Sequence, residues 1–171
     1  TVLREHTLND AGLTDQVTAG QPGREKPLLA APARFVVRVD GAEAAMRAEP
    51  LVFRETAGHR VVTESVLSAG ALKMQAVGTW EYDGALKYDL TLQPTDGKSI
   101  EALTLEIPLD GAGATMIHAM GDLLRNTVYD YLPAGEGAIW DARKVSCSDL
   151  PANFCSYIFL GNPHRGLSWF A

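Results

Sequence analysis

The stretch "ALKMQAVGTWEYDGALKYDLTLQP" (residues 71–94) reads as two β-strands about an Asp83-Gly84 turn, and Asp-Gly between alternating hydrophobics is a strong short-range hairpin signal. Its register has two readings. A two-residue turn sets Trp80 opposite Lys87 and Tyr82 opposite Ala85, which makes an aromatic and basic patch on the wetter face. A loop one residue longer pairs Trp80 with Tyr88 and Tyr82 with Leu86, and extends the apolar row Leu72, Met74, Ala76. A slip of one residue turns every side chain to the other face, so the readings exclude each other. Burying a large side chain is worth about 2 kcal/mol, more than a turn preference, so the apolar row predicts Trp80 and Tyr82 in the core.

The same alternation recurs on both sides of this hairpin. "RFVVRVDG" (34–41) places Phe35, Val37 and Val39 on one face and ends in a turn at Asp40-Gly41. "PLVFRETAGHRVVTESVLSAG" (50–70) gives two strands about Ala57-Gly58. "IEALTLEIPLD" (100–110) sets Leu103, Leu105, Ile107 and Leu109 on one face, and Pro108 marks an edge or a bulge. Upstream, Val2–Leu8 is extended, and "NDAGLTDQVTAGQPGREKP" (9–27) reads as a surface connection on its Gly, Pro and Asp content. Downstream, "GATMIHAMG" (113–121) suits a strand. "GDLLRNTVYDYLPAGEGAIWDARK" (121–144) is one long irregular segment with room for a helical turn around Gly121–Arg125. "YIFLGNPHRGLSWFA" (157–171) gives two final strands about Gly161-Asn162-Pro163. Ten or so short strands with turn signals every ~8–12 residues predict an all-β fold, an antiparallel β-sandwich.

At 171 residues the chain suits one domain, 1–171. Its formal net charge of −6, with no Lys/Arg block, excludes a general nucleic-acid surface, and no apolar run is long enough to span a bilayer as a helix. The two cysteines, Cys147 and Cys155, flank "SDLPANF" (148–154). They either face each other across a hairpin as a disulfide or stand as two buried thiols, the simpler reading.

Catalytic constellations are absent from the pattern. His6, His59, His118 and His164 are scattered singly, without the spacing of a metal site, and no cofactor motif appears. "GAGATM" (111–116) lies between strands and so is a turn, and there is no G-x-S-x-G. Glu81 and Asp83 share a strand face about 7 Å apart, but Asp83 is the turn former and Glu81 a surface residue, so the pair lacks the setting of a glycosidase dyad. What remains is aromatic. Trp140-Asp141, with Tyr129 and Tyr131 nearby in sequence, has the composition of a sugar-stacking surface, to which Trp80 would add if exposed. The competing reading is that these rings plug the end of a sandwich or dock on another domain.

The segments "LLAAPARFVV" (28–37), "WEYDGALKYDLTLQP" (80–94), "LTLEIPL" (103–109) and the ending at 157–171 together resemble a family of bacterial β-sandwich domains. These sit N-terminal to the catalytic barrel of large glycoside hydrolases similar to family 123 β-N-acetylgalactosaminidases. The E-Y-D-G hairpin and the L-G-x-x-x-R-G-L-x-W-F ending carry the likeness. The turn Asn162-Pro163-His164 departs from the acidic turn usual there. The resemblance implies a parent enzyme that acts on glycans with an adjacent Asp-Glu pair. No two acidic residues are adjacent in this chain, so the resemblance implies a non-catalytic piece. It further implies excision from a longer multidomain chain, a downstream catalytic domain as partner, glycan as the alternative partner, and export of the parent. On this reading Leu167, Trp169 and Phe170, just before the abrupt stop at Ala171, form an exposed interdomain contact.

Overall fold

The computed structural model describes residues 4–20, 26–95, 97, 99–121, 127–132, 134–138, 140, 141, 143 and 155–170. These form fifteen strands and no helix. They are β1 (Arg4–Leu8), β2 (Thr14–Ala19), β3 (Lys26–Pro27), β4 (Arg34–Val39), β5 (Ala42–Glu43), β6 (Met46–Ala48), β7 (Val52–Thr56), β8 (Arg60–Ala69), β9 (Leu72–Glu81), β10 (Leu86–Pro94), β11 (Ile100–Glu106), β12 (Met116–Gly121), β13 (Thr127–Tyr131), β14 (Cys155–Asn162) and β15 (Arg165–Phe170). All pairings are antiparallel, and the protein is an all-β, sandwich-type chain as its pattern predicts. It divides into two compact units, Thr1–Pro108 and Leu109–Ala171.

The first unit holds the sandwich. One layer is a five-stranded sheet in the order β10-β9-β8-β6, with β7 also paired to β8. Along β9 every second residue is buried, from Leu72 through Met74, Ala76 and Gly78 to Trp80, as a sheet with one face on the core requires. Facing Leu67, Ala69, Leu72 and Met74 are Phe35, Val37 and Val39 of β4, with Leu103, Leu105 and Ile107 at the rim of the same cluster. These last belong to the second layer, β11-β4-β5. β11 is an edge strand, and Pro108, just beyond it, accepts from the Ala30 N–H, in keeping with the edge role read from its proline. Arg34 on β4 ties this layer crosswise through Glu43 of β5 and Glu106 of β11. Those groups are exposed, so the pairs set geometry more than stability.

A third piece, β1-β2-β3, completes the covering of the five-stranded sheet. The composition of residues 9–27 predicts a surface connection, yet β2 lies within it. Leu13, Val17 and Ala19 form a buried period-two row that the surrounding Gly, Asp and Pro residues mask. Leu13 enters the main core. Gln16 fastens β2 to the following segment, its amide donating to the Leu29 carbonyl and accepting from the Leu28 and Leu29 N–H groups.

The β9–β10 hairpin follows neither expected register. Trp80 pairs with Leu86 and Gly78 with Tyr88, so the loop is the three residues Tyr82-Asp83-Gly84. Gly84 takes a left-handed φ of 94°, as the last residue of a three-residue hairpin loop commonly does. The Asp83 carboxylate accepts from the Ala85 N–H, which confirms Asp83 as the turn former. Face parity is that of the longer-loop reading, so Trp80 is buried as expected. Tyr82 is not: it is 58% exposed, because it has become the first loop residue instead of the last strand residue. β10 is the outer strand of its sheet, and in its inward row Leu86, Leu90 and Leu92 are exposed while Tyr88 packs against the core. Cys155 is buried, whereas Cys147 and the expected helical turn at 122–125 lie outside the described residues.

The asymmetry between centre and edge gives a direct test. Leu67→Ala, at the fully buried centre of the core, is expected to lose about 2–5 kcal/mol in urea unfolding. Leu92→Ala on β10 is expected to lose less than about 1 kcal/mol.

Candidate functional site

The second unit is a four-stranded sheet in the order β13-β12-β14-β15. Directly paired residues share a face, so its register sorts the side chains. Tyr129, His118, Phe159 and Ser168 lie in one row across the sheet, and Met120, Tyr157 and Phe170 lie in the next. Met116 adds Tyr131 and Gly161 to the same face. Rings meet along it, Tyr129 to His118 at 5.9 Å and His118 to Tyr157 at 5.2 Å edge to face, and Tyr157 to Phe170 at 5.2 Å tilted. Tyr129, Tyr131 and Phe170 are 66%, 72% and 73% exposed, so the face is an aromatic surface open to solvent. The opposite face is aliphatic, with Ile117 and Ala119 buried and Val128, Ile158, Leu160 and Leu167 half-buried.

The ending motif acquires a physical reason here. Gly161 and Gly166 pair across β14 and β15, and the Phe159 ring lies over both. A Cβ at Gly166 would fall within contact distance of the ring and of the Leu160 carbonyl, so this close approach admits only glycine.

Of the residues singled out from sequence, Tyr129 and Phe170 share the aromatic face. Leu167 and Trp169 point to the aliphatic one, because strand alternation separates neighbours at 169 and 170. Trp169 is exposed and Leu167 is half-buried. Trp140 and Asp141 lie in the irregular segment, both half-buried, and the Asp141 carboxylate is engaged by a two-pronged Arg143 at 2.9 Å. His118 is the hub of the ring row.

The first unit has a second concentration of polar and aromatic groups at the Trp80 end of its long sheet. The indole N–H donates to Thr63 Oγ1 at 3.4 Å, and Ser65 Oγ donates to the Ala11 carbonyl at 2.9 Å. Gly78 leaves the room this cluster needs: a Cβ there would stand 2.7 Å from Thr63 Oγ1. The Tyr88 hydroxyl donates to the Gly12 carbonyl, and burial pushes its pKa well above that of an ordinary phenol. His6 packs edge-on to Trp80 at 5.2 Å. Burial, followed by nearby positive charge that includes Arg4, holds its imidazole below the usual 6.5. Two clefts flank the Val61–Trp80 pair, one of about 520 Å³ beside His6 and Phe53, the other of about 590 Å³ beside His59 and Tyr82. Neither is legible in the sequence, since each depends on which strands the sheet brings together around Trp80.

Among the described residues no group of three His, Cys, Asp or Glu side chains is arranged to hold a metal. The remaining shifted groups are surface arginines, Arg34, Arg54, Arg60 and Arg143, raised by their carboxylate partners, and Glu55 and Glu64, lowered by hydrogen bonds from Arg60 and Arg54.

Comparison with known families gives a match over residues 1–141 to the family described as glycoside hydrolase 123, third domain. The chain belongs to this glycoside hydrolase 123 third-domain family. The match takes in the whole first unit and reaches β12 and β13 of the second. It takes in the E-Y-D-G hairpin and bears out the resemblance to a glycoside hydrolase 123-associated domain, while the ending motif at 157–171 lies beyond the match; being a third domain implies other domains in the same parent chain. No curated protein and no solved structure matches the chain.

Two outcomes are expected for this glycoside hydrolase 123 third domain. Gly166→Ala should displace the Phe159 ring and lower the melting temperature of the second unit, with a changed ring-current shift of the Gly161 α-protons in the NMR spectrum. Because His6 is harder to protonate in the folded state, the unfolded chain takes up its proton first. Stability is therefore complete above about pH 6.5 and falls as pH drops from there toward the lowered native value. Urea unfolding across that window should show the slope in the wild type and its loss in His6→Gln.

Proposed function

We propose that this chain is a non-catalytic accessory domain that packs on the catalytic barrel of its parent glycoside hydrolase, through the aromatic face of the β12–β15 sheet. The observation that carries this reading is one sheet face with Tyr129 and Tyr131 at one edge and Phe170 at the other, all 66–73% exposed, joined across the sheet by the rings of His118 and Tyr157. Contiguous exposed aromatics on one flat sheet face are the kind of surface that a protein interface covers. Membership of a third-domain family supports it, since such a domain has neighbours to pack against. Export of the parent, to a compartment where glycans are met, belongs to the same reading.

A second reading places glycan on the same face, in place of a protein neighbour. Its support is the ring row Tyr129–His118–Tyr157–Phe170, which offers successive stacking positions to the C–H faces of sugars. One pair of experiments separates the two. Tyr129→Ser with Phe170→Ser should leave the melting temperature of the isolated chain unchanged, and should split the unfolding of the parent hydrolase into separate transitions. Unchanged cooperative unfolding of the parent would overturn the packing reading. Glycan binding by the isolated chain that those two substitutions abolish would establish the second reading.

A further inference from the structure

The cleft of about 520 Å³ in the first unit lies between the β1–β2 hairpin and the segment that enters β7, on the inner side of the long sheet. Its volume is that of a ligand pocket. One side is apolar, with Leu51, Val61 and the buried Trp80, and at its edge stands Phe53, 56% exposed. Phe53 pairs with Thr63 and so belongs to the inner face of the sheet, where a large side chain is ordinarily covered. The other side is polar. Asn9 is fully used within the fold: its amide donates to the Ala33 carbonyl and accepts from the Leu13 N–H. Asp10 is exposed, with no hydrogen-bond or ion-pair partner among the described residues. Both ring nitrogens of His6 are buried and unpartnered. A buried polar group left unpaired costs free energy, and two on one ring call for a partner that the protein itself does not provide.

We propose that this cleft binds a neutral pyranose, with Phe53 as the stacking surface, Asp10 as an acceptor for hydroxyl hydrogens and the His6 imidazole as a further hydroxyl partner. Each alternative chemistry meets an obstacle. An anion would face the Asp10 carboxylate in a chain of formal net charge −6. A cation would approach His6 against the positive charge that Arg4 already places there. A purely apolar ligand would leave the imidazole nitrogens unsatisfied. A sugar ring brings an apolar face for Phe53 and hydroxyls that both donate and accept, which suits a neutral imidazole with one N–H and one lone pair. This site is in the first unit and uses none of the residues of the aromatic sheet face, so it stands or falls separately from the packing reading.

The test is an NMR titration of the whole 171-residue chain with the methyl pyranosides of galactose, glucose and N-acetylgalactosamine. Saturable shifts of the His6 ring and the Trp80 indole N–H are expected, with a dissociation constant of about 1–10 mM for at least one sugar. Phe53→Ala and Asp10→Asn should each weaken it about fivefold or more. Both positions are exposed, and an unchanged indole signal without ligand checks that the fold is intact. No saturable shift at His6 and Trp80 with any of the three sugars overturns the proposal. So does an unchanged constant in Phe53→Ala, or a stronger response to glucuronate or to methylammonium than to the neutral sugars.

Discussion

The five-stranded sheet of the first unit is longer than the layer that faces it, and the rest of that unit follows from the mismatch. β8 and β9 run ten residues each, whereas β4 has six and β11 seven. At about 3.3 Å per residue, roughly 10 Å of inner face at the Trp80 end needs other cover. The β1–β2 hairpin supplies it, with His6 against the indole and the carbonyls of Ala11 and Gly12 accepting from Ser65 and Tyr88. The polar residues on this half of the face are explained by their cover. A loop brings backbone acceptors that need donors, whereas the β4–β11 layer brings only side-chain surface. The cleft beside Phe53 is the place where a narrow hairpin does not span as far as β7.

How much of this could be read from residues alone depended on whether the deciding interaction was local. The strands of 34–39, 52–56, 60–69 and 100–106 announce themselves through period-two rows bounded by turn residues. Trp80 was legible because its row, Leu72 to Ala76, fixes the parity of the strand. Tyr82 was not, since a three-residue loop fits either 83–85 or 82–84, and the left-handed conformation of Gly84 at the last loop position selects the second. β2 escaped for the opposite reason: its alternation is real but sits among Gly, Asp and Pro. For the candidate site, Tyr129 and Phe170 were findable as aromatics, whereas their common face is a product of four-strand pairing. The grouping of Phe170 with Leu167 and Trp169 followed sequence proximity, which on a strand puts neighbours on opposite sides.

The two units divide the chemistry between them. The second presents rings on a flat sheet, a surface suited to extended contact with another domain or a polymer. The first presents a concave site with one orphaned imidazole and one unengaged carboxylate, a setting suited to a single small ring. The match to the glycoside hydrolase 123 third-domain family covers the whole first unit and the β12–β13 half of the second.

β10 carries a consequence of its own. Among the described residues no strand pairs with the far side of this nine-residue outer strand, and the exposed leucines on its inward face add apolar surface beside that edge. Such an edge invites a strand from another molecule, the first step toward ordered aggregates. The sequence sets safeguards on it. Lys87 and Asp89, paired at 2.9 Å, place charge on its outer face, and Pro94 ends it with a residue that has no N–H to give. Charge and proline on an outer strand do nothing for the fold of one molecule; their effect is to keep two molecules from sharing a sheet.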